Sequence, residues 1–296
     1  MDVVIAGATG FLGTRLAAQL RTRGHTVTGL TRRPDPGPGE VTWDPYAGSL
    51  DQGVVEAADV VVNLAGSRLF GIPQTQKWQR ALHDSRVVTT RVLAEAIARA
   101  ERPPAFLANN ATAYYGDHGE EVVTEASESR GDAFMTRVTR DWQAAADPAV
   151  EAGARVCVLR TAPVLARGGD TMRILTPLFR LGLGTRLGDG GQRFPVVSMR
   201  DFVGAATLLL EHDTASGPFN VCCPETPTNA EFTEAFARTV HRPAFLAVPR
   251  RVLAVGAGPA APELLRSMDL RPAALLDLGY RFEDPDAAAV MASALA

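Results

Sequence analysis

The chain of 296 residues is poor in several groups on which whole classes of chemistry depend. It has three cysteines, Cys157, Cys222 and Cys223. An adjacent pair is a poor geometry for a structural disulfide, and no CxxC spacing offers a zinc site. Buried, reduced thiols in a cytoplasmic protein are therefore expected. Lysine is almost missing: of 30 basic residues only Lys77 is not arginine. Tyrosine is confined to Tyr46, Tyr114, Tyr115 and Tyr280. No uninterrupted apolar run approaches the ~20 residues that span a bilayer. The opening Met1-Asp2-Val3 carries an acid and no basic stretch, so it does not read as a signal peptide. A net charge of −3 with no lysine-rich block leaves no nucleic-acid footprint. The expected partner is a small-molecule substrate, without nucleic acid or membrane, and a homodimer is left open.

What remains is ordinary globular material, 46% hydrophobic and 21% charged. Short β-branched runs alternate with helical patterns. Val3-Val4-Ile5-Ala6 is continuous enough to be a buried parallel strand, and Leu12, Leu16 and Leu20 then recur every four residues up to a stop at Gly24. Val27–Leu30, Asp59–Leu64, Ala105–Ala108 and Val156–Leu159 read as further strands, Val87–Ala100 as a helix, and residues 34–39 as a Pro/Gly loop. Repeated β-α-β units with right-handed crossovers predict a Rossmann-type, doubly wound parallel α/β sheet. The rhythm breaks after Arg160. Phe202–Glu211 reads as one more helix and Phe219-Asn220-Val221 as a returning strand. The expected division is a nucleotide-binding domain over 1–165, completed by about 198–225, and a smaller substrate lobe from 166–197 and 226–296.

Gly7-Ala8-Thr9-Gly10-Phe11-Leu12-Gly13 lies between the first strand and the first helix. There Gly7 allows a tight turn, Gly10 a close approach of backbone to a diphosphate, and Gly13 close helix packing, with the anion on the helix N-terminus. At the end of the second strand an NAD site wants an acid for the ribose 2′-hydroxyl. This chain has Thr31-Arg32-Arg33 and no acid before Asp35. Guanidinium groups suit a 2′-phosphate, so NADP is favoured over NAD, with two solvated arginines as the alternative. Asn63-Leu64-Ala65-Gly66 ends the third strand at the carboxyl edge, where such sheets bind ligands.

These stretches, together with Ser85-Arg86, Ala113-Tyr114-Tyr115-Gly116-Asp117, Leu159-Arg160-Thr161, Arg242-Pro243-Ala244-Phe245 and the tail around Gly279-Tyr280-Arg281-Phe282, span essentially the whole chain. In that order they resemble the atypical extended short-chain dehydrogenase/reductases described as sugar-nucleotide epimerase-like, which have a small C-terminal domain. The resemblance implies a Rossmann domain holding NADP and a substrate lobe closing over the nicotinamide. In the wider superfamily a tyrosine transfers the proton, a lysine four residues later lowers its pKa, and a serine or threonine orients the substrate oxygen. With one lysine and four tyrosines no Tyr-x-x-x-Lys exists here. Phe134 takes the tyrosine's place in Phe134-Met135-Thr136-Arg137-Val138. The expected serine is replaced by Asn110, with Thr112 the nearest hydroxyl.

The catalytic candidates are therefore Tyr114, Tyr115, Asn110 and Thr112. An unassisted phenol with a pKa near 10 is a poor base at neutral pH but can still protonate a carbonyl oxygen. An amide donates to an oxyanion without shuttling a proton. Asp117, His118, Glu120, Glu121 and Glu125 are alternative titrating groups, against a reading as a solvated acidic loop. Arg86 reads as a group binding an anionic part of the substrate or the cofactor, or else as half of a structural ion pair. His83 and the tryptophans 43, 78 and 142 read as packing, and Lys77 as exposed in a loop over 71–79. The apolar segments 247–257 and 264–278 are expected to shape a pocket more hydrophobic than sugar-binding. Three functions follow: an NADP-dependent oxidoreductase or epimerase-like enzyme on a small carbonyl or hydroxyl compound, a non-redox isomerase, dehydratase or cyclase, and a non-enzymatic NADP-binding protein.

Overall fold

The computed structural model of the chain describes residues 1–68, 75–256 and 261–296. From the N-terminus the elements are β1 (Asp2–Ala6), α1 (Phe11–Thr22), β2 (Thr26–Thr31), β3 (Glu40–Thr42), α2 (Gln52–Glu56), β4 (Val60–Asn63), α3 (Gln76–Arg99) and β5 (Ala105–Ala111). A single 3₁₀ turn over Thr112–Tyr114 follows, then β6 (Val122–Val123), α4 (Phe134–Ala144), α5 (Asp147–Glu151), β7 (Val156–Thr161) and β8 (Val164–Leu165). The remainder is α6 (Asp170–Arg180), β9 (Thr185–Leu187), β10 (Val197–Ser198), α7 (Met199–Glu211), β11 (Gly217–Val221), α8 (Asn229–Thr239), β12 (Leu246–Val248), α9 (Arg250–Gly256), α10 (Ala261–Leu265), β13 (Asp269–Leu270), α11 (Ala273–Asp277) and α12 (Ala287–Leu295).

Seven strands form one sheet in the order β11-β7-β5-β4-β1-β2-β3. The pairs β1·β2, β1·β4, β2·β3 and β4·β5 are all parallel. The reversal of strand order at β1 is the doubly wound pattern expected, and it places the carboxyl ends of β1 and β4 side by side, Ala6 opposite Asn63. β4 is buried along its whole length, as a continuous valine run in a sheet covered on both faces should be.

Two elements differ from the expectation. β3 follows the Pro/Gly loop and was not foreseen, because three residues, Glu-Val-Thr, are too few to show a period. The helix expected from Val87 begins eleven residues earlier, at Gln76, capped by the Thr75 hydroxyl accepting from the Trp78 amide. Its first turns are crowded with Gln, Lys, Arg, His and Asp, which mask the apolar stripe. Lys77 is therefore on a helix and exposed, while residues 71–74 of the loop assigned to it lie outside the described residues.

The chain divides into two compact units. One comprises 1–110, 138–159 and 203–218, the other 111–137, 160–202 and 219–296. Segment 111–137, expected in the nucleotide-binding part, thus belongs to the second unit. The core of the first unit gathers Val4, Ala6, Val61, Leu93, Ile97 and Phe106 with Trp43 between sheet and helices. In the second unit Phe179 stacks on Phe236 at 4.1 Å, and Phe232 meets both Phe236 and Phe194 edge-on. There Thr228 and Glu231 close a reciprocal capping box at the start of α8, a device worth about 1 kcal/mol. Among the described residues no helix is long and apolar enough to cross a membrane.

Candidate functional site

In the first unit the glycine turn is built by backbone against backbone. Gly7 has φ +83°, and a Cβ there would lie 2.8 Å from the Leu64 carbonyl carbon. A Cβ on Gly13 would meet the Gly7 carbonyl oxygen at 2.1 Å. Only glycine allows the Leu64-Ala65 segment to cross the turn and α1 to start hard against it. Helix α1 opens at Gly10 with no side-chain cap and no acid in its first turn. Its leading amides are thus left to an outside acceptor, the arrangement that holds a diphosphate. Beside it, Asn63 is fully buried: its amide donates to Thr90 at 2.8 Å and its Oδ1 accepts from the Ala65 amide at 3.0 Å. That pins the Asn63-Leu64-Ala65-Gly66 corner.

The two arginines at the end of β2 differ. Arg33 pairs with Glu40 of β3, whose carboxylate also accepts from the Gly37 amide and is held below the ordinary glutamate range chiefly by that amide bond. Arg32 is exposed and has no ion-pair partner among the described residues. Of the pair, Arg32 is the one available to a ribose 2′-phosphate.

Arg86 of α3 sits at the same edge. Its Nη1 donates to the Leu82 carbonyl at 3.0 Å and to Ser85 Oγ at 3.2 Å, and Nη2 donates to the Ser67 carbonyl at 3.1 Å. The guanidinium carbon lies 5.4 Å from the Trp142 ring centroid and 3.5 Å from where a Cβ on Gly66 would be. Burial brings its pKa down to about 10. The ion pair considered for it does not form among the described residues. His83 does pair, with Asp84 and Asp141 on either side. Trp142 is core, its indole donating to Thr90 at 2.8 Å.

The catalytic candidates separate sharply. Asn110, Thr112 and Tyr115 are each 1% exposed or less. Asn110, in the first unit, donates its amide to the Thr139 carbonyl of α4 at 3.0 Å. In the second unit the Tyr115 hydroxyl donates to Asn220 Oδ1 at 2.6 Å and accepts from Arg160 Nη1 at 2.8 Å. Burial pushes Tyr115 up to about 12. All three are buried, and Asn110 and Tyr115 are hydrogen-bonded within the fold. Their position at the end of β5 was legible, their burial was not.

Tyr114 is half-buried. Its ring carries the Arg160 guanidinium at 3.7 Å from the centroid and meets Tyr115 edge-on at 5.5 Å. Its hydroxyl has no hydrogen-bond partner among the described residues. Arg160 is itself 3% exposed, and a buried guanidinium needs such partners. Asn220, whose amide N–H donates to Glu125 Oε1 at 2.9 Å, completes the network; no motif had singled it out.

The alternative titrating groups are largely occupied. Asp117 Oδ1 accepts from the amides of Gly119 and Ser267. His118 is buried and bonds the Glu128 carbonyl at 3.2 Å. Glu121 and Glu128 pair with Arg130. The acidic loop is thus a scaffold around the Tyr-Tyr-Gly turn. Phe134 and Val138, the pair expected in the place of the superfamily's tyrosine and lysine, stand four apart at the start of α4, the second of them 2% exposed.

A cavity of about 600 Å³ in the second unit is lined by Gly116, Asp117, Thr136, Ala254, Leu265 and the arginines 130, 250 and 266 among others. The apolar segments 247–257 and 264–278 do contribute Ala254 and Leu265. The wall is more charged than expected, however, because Arg250 and Arg266 come from or beside the same segments. The three cysteines are buried and unlinked, with Cys157 and Cys223 pushed up to about 11 and about 12 by burial, so they are inert thiols.

A parallel sheet with this strand order, a glycine turn feeding an uncapped helix, and a pinned corner at the end of β4 define a Rossmann-type dinucleotide-binding protein. Residues 3–222 match the model of the NAD dependent epimerase/dehydratase family, and the chain belongs to that family. Among solved structures it is similar to the human epimerase family protein SDR39U1 with NADPH, at 34% identity, 99% coverage of both chains and a TM-score of 0.88. It also resembles a nucleoside-diphosphate sugar epimerase from Corynebacterium glutamicum, at 33% identity and a TM-score of 0.82, covering all of this chain and 58% of that one. The epimerase family protein Mb2239 of Mycobacterium bovis is 38% identical over 282 residues, 95% of this chain and 93% of its own.

Proposed function

We propose that the chain is an NADP(H)-dependent oxidoreductase that reduces a small carbonyl compound, with Tyr114 as the proton donor. The observation that carries the reading is the contrast between the four candidates. Tyr114 alone keeps an unengaged hydroxyl and some exposure, while Tyr115, Asn110 and Thr112 are buried.

The cofactor fits the residues present. The amides at the start of α1 take the diphosphate, Gly7, Gly10 and Gly13 leave room for it, Arg32 takes the 2′-phosphate, and the corner Asn63–Gly66 lies along the same edge. The human relative crystallised with NADPH supports NADP over NAD. When bound, NADPH supplies a hydride to the carbonyl carbon and is left as NADP⁺. Tyr114 gives its hydroxyl proton to the carbonyl oxygen, which becomes the alcohol, and recovers a proton from water. Arg160 against the ring fixes the direction in which that hydroxyl points.

Reduction is favoured over chemistry that needs a strong base. No Tyr-x-x-x-Lys pair exists, and Asp117, His118 and Glu121 are held by scaffold bonds. The three unlinked thiols suit a cytoplasmic, reducing compartment. The test is to load the protein with NADPH and follow nicotinamide absorbance against a panel of aldehydes, ketones and 2-oxo acids. Oxidation that falls about a hundredfold in Tyr114→Phe is expected, the lower end of general-acid contributions. No oxidation across the panel overturns the reading.

A further inference from the structure

Arg86 is a guanidinium without a counter-ion. Its three hydrogen bonds go to two carbonyls and a hydroxyl, all uncharged. Among the described residues it meets no carboxylate, and residues 69–74 and 257–260 contain no acid at all. Arg266 pairs with Glu263 and Arg271 with Asp269, while Arg155 resembles Arg86 in donating only to uncharged groups, three backbone carbonyls and the Cys157 thiol. Burying a charge without a partner is costly, and an anionic ligand at Arg86 would offset that cost.

The geometry indicates what that something is. These bonds use two donations from Nη1 and one from Nη2, leaving Nε–H and one Nη2–H without an acceptor among the described residues. Nε and Nη2 share one edge of the guanidinium, the fork that meets two oxygens of a carboxylate. Trp142 lies 5.4 Å from the guanidinium carbon, and Gly66 lies close enough that a Cβ there would be in van der Waals contact with that carbon at 3.5 Å. The group stands beside Gly66 and Ser67, immediately after the corner that crosses the glycine turn. The dinucleotide's own anions already have seats at the start of α1 and at Arg32, so the anion at Arg86 is left to the other ligand.

We propose that Arg86 is the receptor for a carboxylate on the substrate, which makes the substrate a carboxylate-bearing carbonyl compound such as a 2-oxo acid. This rests on the reading of the chain as an NADPH-dependent reductase. Its pKa of about 10 keeps Arg86 charged at neutral pH, as the role requires.

The experiment compares 4-methyl-2-oxopentanoate with its methyl ester, using the NADPH-loaded full chain and its Arg86→Gln and Arg86→Lys variants. Absorbance reports turnover, and the fluorescence of bound NADPH reports substrate binding. The wild type is expected to prefer the acid by about ten- to a hundredfold in kcat/KM, the range of a hydrogen-bonded charge pair. Arg86→Gln is expected to lose that preference mainly through KM, with the ester unaffected, and Arg86→Lys to keep part of it. Equal use of acid and ester by the wild type overturns the proposal, as does an equal loss on both in Arg86→Gln, which marks a structural role. Weakened binding of NADPH itself in Arg86→Gln also overturns it, assigning the residue to the nucleotide. If neither compound is reduced, the reductase reading fails for them and binding decides Arg86. An acid-dependent fluorescence change present in the wild type and absent in Arg86→Gln supports it, and no change in either overturns it. Should Arg86→Gln not fold, the acid-to-ester ratio of Arg86→Lys is the deciding measurement, an unchanged ratio counting against the fork.

Discussion

The hydroxyl of Tyr115 is buried and donates to Asn220 Oδ1 at 2.6 Å, one residue after a tyrosine whose hydroxyl has no hydrogen-bond partner among the described residues. Two adjacent phenols of identical chemistry thus stand in opposite surroundings. Tyr115→Phe strands Asn220 Oδ1 and an N–H of Arg160, and is expected to cost about 1–3 kcal/mol of stability with little change in turnover once folded. Tyr114→Phe is expected to leave the melting temperature nearly unchanged and to cut turnover. Thermal unfolding and NADPH oxidation on both variants separate the roles, and the reverse pattern would exchange them.

The arginines at the end of β2 are likewise unequal. Arg32→Ala is expected to weaken NADPH binding about tenfold, matching the ~1.5 kcal/mol of a hydrogen bond to a charged group, while leaving NADH unchanged. Arg33→Ala releases Glu40 and should loosen β3 with a smaller effect on the NADPH-to-NADH ratio. Fluorescence titration with both nucleotides reads this directly.

Gly13 and Gly24 make a contrast within one helix and its exit. Alanine at 13 drives a Cβ into the Gly7 carbonyl, where neither backbone can yield without opening the turn. Gly13→Ala is expected to abolish dinucleotide binding and to cost about 1–3 kcal/mol of overpacking. Gly24 has φ +83° but nothing within 4 Å, so Gly24→Ala should cost only the roughly 1–2 kcal/mol of a left-handed alanine and leave binding intact. Equal loss of binding in both would contradict the contact at Gly13.

Glu211 of α7 gathers Arg23 and His25 at 2.6 and 2.9 Å. Its hydrogen bond from Arg23, reinforced by His25 and outweighing burial, holds the carboxyl below the ordinary value of 4.5. A depressed carboxyl stabilises the fold above its unfolded pKa, and that contribution disappears as pH falls through the lower folded value. Glu211→Gln should therefore lower the urea midpoint at pH 7 and make no difference once the pH is well below 4. A constant difference at all pH values would show that the carboxylate charge is not responsible.

The long-range plan was readable because it rests on period and punctuation. The valine run at 60–62 and the glycines at 7, 10 and 13 imposed the same sheet and turn that the fold contains. Burial at the end of β5 was not readable. Asn110, Thr112 and Tyr115 look like a reactive polar cluster in the chain, and only the fold shows that two of them bond to acceptors on distant segments, Thr139 and Asn220. Lys77 was misplaced for a related reason: the polar first turns of α3 carry no apolar rhythm until the residues on either side are packed. Arg86 remained undecided in the sequence because an ion pair is defined by what stands opposite, and nothing acidic does.

Where Gly13, Gly7 and the Leu64-Ala65 corner touch, the seat is made of backbone alone. Backbone without side chains has no rotamers to order when a ligand binds, so that part of the cost of association is absent there. That construction makes the first unit a frame against which evolution can exchange substrates by altering side chains elsewhere, without retuning how the coenzyme docks.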